Sequence, residues 1–147
     1  MTRFFIGAVG LVLGCAHILA HAVPLPADAS LPQVKKGIWA ITHDQALDGM
    51  PPQHIPERIL DACLDPLEKL QQDVQGMEKH GCHIDMRTAP GELHIDASQC
   101  PPLPGAATRL HTVLESRAPK TFKITTDTNL GRVVLAGRWI RACPAPQ

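Results

Sequence analysis

Between Cys82 and Gln99, apolar and polar side chains alternate on both sides of Ala89-Pro90-Gly91. Cys82, Ile84 and Met86 alternate with His83, Asp85 and Arg87, and Leu93, Ile95 and Ala97 alternate with His94, Asp96 and Ser98. Successive side chains of a strand point to opposite faces, so this period gives each strand one buried and one wet face. Pro-Gly suits the two central positions of a type II turn: proline presets φ at the first, and glycine accepts a positive φ at the second. The segment predicts a β-hairpin.

Further strands are expected on either side. Lys36 to His43 reads as a first strand with Ile38, Trp39 and Ile41 as its apolar content, and Asp48-Gly49-Met50-Pro51-Pro52 as the loop after it. Ile55 to Cys63 reads as a second strand, with Pro56 restricting its start to a sheet edge or an irregular segment. Thr108 to Ser116, Thr121 to Thr126 and Arg132 to Arg141 complete the set, the last two joined by a turn at Asn129-Leu130-Gly131. One helix is expected, with Asp65 as N-cap, Pro66 at the first helical position and Glu68 in the first turn. Leu67, Leu70 and Val74 form its apolar stripe, and Gly76 is expected to end it. The fold class is mainly β: an antiparallel meander of about six or seven strands, open or partly closed into a barrel, with one short helix.

The N-terminus has the three parts of a secretory signal. Arg3 supplies the charge, an apolar run extends from Phe4 to Leu13, and Ala20-His21-Ala22 is a small-x-small cleavage site. The strictly apolar core falls short of the roughly 20 residues that a membrane-spanning helix needs. The expected organisation is a signal peptide over 1–22, a flexible proline-rich leader over 23–34 and one disulfide-stabilised β-domain over 35–147. The expected location is periplasmic or secreted. Val12-Leu13-Gly14-Cys15 also resembles a lipobox, which would make Cys15 a lipid-bearing N-terminus; the apolar residues after Cys15 favour cleavage after Ala22.

Cleavage there would remove 22 of 147 residues and leave 125, enough for one domain with a modest core. The 14 Lys and Arg, less Arg3, against 14 Asp and Glu give a net charge of about −1 with no basic stripe, which argues against nucleic acid as a partner. Only Trp39, Phe122 and Trp139 are aromatic beyond the signal, so a stacking platform for sugars or bases is poorly supported. Four cysteines remain, Cys63, Cys82, Cys100 and Cys143; an even number in an exported chain argues for two disulfides. No two lie at a C-x-x-C spacing of the kind that binds zinc.

Several pieces, taken in order, resemble the domain of unknown function 3617 family of small exported bacterial proteins. They are Gly37-Ile38-Trp39-Ala40-Ile41, Gly49-Met50-Pro51-Pro52, Ala62-Cys63-Leu64-Asp65-Pro66, the pair Cys82 and Cys100 about the hairpin, and Gly137-Arg138-Trp139-Ile140-Arg141-Ala142-Cys143. They cover roughly Val34 to Cys143. The family usually opens with Pro-Gly-Leu-Trp-Glu, whereas here Lys36 precedes Gly37 and Ala40 replaces the acid. The resemblance implies an exported location and a β fold, and no activity or catalytic residue.

Four cysteines allow three connectivities. The favoured one is Cys82–Cys100, stapling the hairpin, with Cys63–Cys143 tying the segment before the helix to the last strand. In the chain-entropy model each would contribute roughly 3–5 kcal/mol. A register centred on Pro90-Gly91 sets Cys82 opposite Gln99, one residue short of Cys100 and on the other face. A bulge near Ser98 or Gln99 would repair the mismatch; without one, Cys63–Cys82 would be the better pair.

His83-Ile84-Asp85 recurs as His94-Ile95-Asp96, which places His83, Asp85, His94 and Asp96 on the polar face of the hairpin. Two imidazoles and two carboxylates in reach of one another could hold zinc or copper. The plainer interpretation is a solvated strand face. His43, His54 and His111 stand without a motif around them, and no nucleophile motif or phosphate loop occurs, so no enzyme and no cofactor are expected. The leading expectation is a non-catalytic exported β-domain that either binds a partner, such as a small ligand or an envelope protein, or supports the envelope; the alternative is a periplasmic zinc- or copper-binding protein using the His/Asp cluster.

Overall fold

The computed structural model describes residues 31–145. In chain order the elements are β1 (Ile38–Leu47), β2 (Gln53–Ile59), α1 (Pro66–Lys79), β3 (His83–Ala89), β4 (Glu92–Ser98), β5 (Leu110–Ala118), β6 (Thr121–Thr128) and β7 (Gly131–Arg141). The strands form one antiparallel sheet in the order β2-β1-β7-β6-β5-β4-β3. The expected fold class is what the chain adopts, and the sheet stays open rather than closing into a barrel. It is not one continuous meander. β3 to β7 run as a meander, the β1–β2 hairpin joins at β7, and β2 and β3 are the two edges. The segment carrying α1 therefore takes the chain from one edge to the other, and the helix packs on one face, called here the inner face.

The helix starts where local chemistry dictates. Asp65 Oδ1 accepts hydrogen bonds from the backbone N–H groups of Leu67 and Glu68 at 3.1 and 3.2 Å, and Pro66 follows as the first helical residue. Gly76 does not end the helix, which runs on to Lys79. A glycine inside a helix costs only about 1 kcal/mol relative to alanine, which packing offsets. The stop lies at His80-Gly81, where Gly81 takes a φ of +92°. Upstream of the helix, Gly37 and Leu64 exchange two backbone hydrogen bonds of 2.9 and 2.8 Å, which fastens the connection from β2 to the start of β1.

The hairpin has the register centred on Pro90-Gly91: Ile84 pairs with Ala97, Asp85 with Asp96 and Met86 with Ile95. Both favoured cysteine pairs are at disulfide distance, with Cα–Cα separations of 5.5 Å for Cys63–Cys143 and 4.0 Å for Cys82–Cys100. The one-residue mismatch is resolved just past the ladder rather than by a bulge within it. Gln99 adopts φ +53°, a left-handed conformation uncommon for a side-chain-bearing residue, and turns Cys100 back toward Cys82.

The core sits between α1 and the inner face. Trp39, Leu93, Leu114 and Val74 are fully buried, and Trp39 meets Phe122 edge-on with ring centroids 4.8 Å apart. Gly137 faces Phe122 across β6–β7, and a Cβ there would run into the ring. Trp139 is half-buried at the margin of the core. The ammonium groups of Lys35 and Lys120 lie over its ring, 5.5 and 5.1 Å from the centroid. The signal over 1–22, Cys15 and most of the expected leader lie outside the described residues. The last residues of that leader belong to the fold: Pro32 is fully buried, and Leu31 and Val34 pack against the core. No helix among the described residues is long and apolar enough to cross a membrane.

Candidate ligand cavity

Strand pairing decides which side chains share the inner face. Ile95 is the register partner of Thr112, Thr112 of Thr126, Leu114 of Ile124, and Ile124 of Leu135. These residues form two adjacent rows, apolar but for two threonines. Part of this surface meets α1 and makes the core. The rest lines a cavity of about 580 Å³ between the helix and the sheet. Its floor includes Ile41, Leu135, Ile124 and Leu110 from the sheet, and its roof Leu70, Val74 and Met77 from the helix.

The cavity follows from the dimensions of the parts. A helix of 14 residues is about 21 Å long, whereas seven strands about 4.8 Å apart span about 29 Å. One helix covers a band of such a sheet, and the remainder must be filled by large side chains or left open. This chain has few large side chains to spend: Trp39 and Phe122 fill one end, and the aliphatic residues and threonines elsewhere leave room. Close-packed interiors rarely contain voids larger than a water molecule. A volume of about 580 Å³ instead falls in the range of small-molecule sites, which are concave, mostly apolar and carry a few placed polar groups.

The polar groups of the cavity are few. The Thr112 and Thr126 hydroxyls hydrogen-bond to each other at 3.1 Å. Arg58, Lys69 and Asp73 also line it and are all exposed, which places the mouth between β2 and α1. Lys69 and Asp73, one helical turn apart, pair with each other.

The predicted hairpin cluster lies on the opposite, outer face. His83, Asp85, His94 and Asp96 share that face, as their strand parity requires, but do not converge. His83 is the register partner of Ser98, and His94 Nε2 lies 2.9 Å from Glu92. Asp96 is the register partner of Asp85, and its carboxylate turns to His111 Nδ1 at 2.6 Å. Among the described residues, no group of three or more His, Cys, Asp or Glu side chains is arranged to hold a metal ion. His111, which sequence leaves without a motif, is thus Asp96's partner, and His54 pairs likewise with Asp44. The β4–β5 register that joins Asp96 to His111 is hidden in the sequence by the Pro101 to Gly105 loop. Farther along the same row, Arg132 on β7 donates hydrogen bonds to Asp127 on β6. Those bonds, chiefly, hold the Asp127 carboxyl below its usual range; desolvation opposes them, and the charges of Arg132 and His111 add smaller lowering effects.

Comparison with known protein families, with curated proteins and with solved structures finds no match to this chain.

Proposed function

We propose that this chain is an exported, non-catalytic binding domain that carries a small apolar molecule in the cavity between α1 and the sheet. The observation that carries the reading is the cavity's size together with its nearly unbroken aliphatic lining. Burying apolar ligand surface there gains about 25 cal/mol per Å² removed from water, and the threonine pair demands no polar partner. Of the polar residues lining the cavity, Lys69 is paired with Asp73 and Thr112 with Thr126, so no base stands beside a free nucleophile there, which favours binding over turnover. The secretory pattern at the N-terminus and the two cysteine pairs accord with an oxidising compartment.

The test is titration with N-phenyl-1-naphthylamine, a neutral apolar fluorophore, against the protein and two cavity-filling variants, Leu135→Trp and Thr126→Phe. The expected result is saturable binding at one site, lost in both variants while their cooperative unfolding is retained. Unchanged probe binding in two folded, filled variants would remove the cavity as the site.

A further inference from the structure

The rim of the cavity carries more positive charge than its own residues use. Arg58 is placed there by its pairing with Ile41, an inner-face residue that also lines the cavity. Its neighbour Glu57 is committed to the other side of the strand, where it accepts a hydrogen bond from Arg138 at 2.7 Å. Across the mouth, Asp73 is taken by Lys69. Two cations and one carboxylate thus edge the opening, and the Arg58 guanidinium has no ion pair or hydrogen-bond partner among the described residues.

Building on the cavity reading, we propose that the ligand is a single-chain amphiphile with a monoanionic carboxylate head, such as a fatty acid, and that Arg58 receives the head. The chain would lie along the aliphatic lining and the carboxylate would stop at the mouth, where water and the guanidinium both reach it. A guanidinium offers parallel N–H donors that match the two oxygens of a carboxylate. One uncommitted positive charge balances one negative charge, which favours a carboxylate over a doubly charged phosphomonoester. A charged head at an exposed rim also avoids the desolvation that burial would impose.

The experiment is competition for N-phenyl-1-naphthylamine bound to the full domain, using dodecanoic acid, dodecanol and dodecylamine at neutral pH. Dodecanoic acid is expected to displace the probe at roughly ten-fold lower concentration than dodecanol, the lower end of what hydrogen bonds to a charged group contribute. Dodecylamine should be weakest. Arg58→Gln should bring acid and alcohol together, and Arg58→Glu should favour the amine. Both changes fall on an exposed side chain, so folding should be intact by thermal unfolding. Lys69→Gln serves as the comparison and should keep most of the preference, because Lys69 is already paired. Equal displacement by acid and alcohol in the native protein, or a preference that survives Arg58→Gln, would overturn this proposal and leave the cavity reading standing. Displacement by none of the three amphiphiles would overturn both.

Discussion

On the outer face of the sheet, charged side chains meet partners on the next strand; on the inner face, apolar side chains meet either the helix or the cavity. The outer row runs through Asp85, Asp96, His111, Asp127 and Arg132, each the register partner of the next across β3 to β7. Its ionic contacts are lateral, between neighbouring strands, and water covers the rest. The inner row has no lateral solution, because an aliphatic side chain is stabilised only when something apolar lies over it. One helix supplies that cover for part of the row. The same period-two pattern thus makes a finished surface on one side and an unfinished one on the other, and the unfinished side is where a ligand has something to contribute.

If that contrast is right, the largest effects of substitution belong to the covered part of the inner face. Leu93→Ala, at a fully buried core position, should cost about 2–5 kcal/mol in urea unfolding. Leu135→Ala should cost less than Leu93→Ala, because Leu135 is only partly buried and already borders open space. Equal costs would mean that the cavity is closed in solution. Next in size is Gly137→Ala, whose methyl group would press on Phe122. Overpacking of this kind costs about 1–3 kcal/mol, and a smaller aromatic–aromatic signal in near-ultraviolet circular dichroism should accompany it.

The outer face should tolerate change. Asp96→Asn removes a charged partner from His111, both of them partly exposed, and should alter stability by no more than about 1 kcal/mol. The same measurement bears on the metal alternative. If His83, Asp85, His94 and Asp96 formed a site in solution, added zinc would raise the melting temperature and Asp96→Asn would abolish the rise. The directions taken by Asp96 and His94 lead us to expect no rise.

Local chemistry was legible in the sequence and long-range geometry was not. The cap at Asp65-Pro66 and the turn at Pro90-Gly91 rest on residues within a few positions of one another, and both are found as expected. The cysteine pairing was readable together with its difficulty, and only the device was missed: a left-handed Gln99 in place of a bulge. The end of α1 was misplaced because glycine signals a stop only where φ is positive, which composition cannot show at Gly76 or Gly81. The cavity was not visible at all. It depends on β1 pairing with β7 and on α1 passing from one edge of the sheet to the other, contacts between distant parts of the chain. The nearest signal is the scarcity of aromatic residues, which argues against a stacking site and also means too little bulk to fill the space under one helix. Arg58 could not have been singled out, because Pro56 and the pairing irregularity in β1–β2 obscure which face it occupies.

The smallest expected effect tests the outer row most directly. Arg132 hydrogen-bonds to Asp127 and lowers its carboxyl pKa. A carboxyl whose folded pKa lies below its unfolded value, near 3.9, adds stability above that value and loses it as pH falls through the folded pKa. The pair's contribution should therefore be constant at neutral pH and fade only below about pH 4. Because both groups are solvent-exposed, the change in overall stability should be slight, and salt should weaken it further. The site-specific observable is sharper. Titration of the Asp127 carboxyl by carbon-detected NMR should give a midpoint below the ordinary aspartate range, and Arg132→Gln should move it upward toward that range. An unmoved midpoint would mean that the lateral pair does not persist in solution, and the outer face would then be a set of independently solvated charges rather than a connected row.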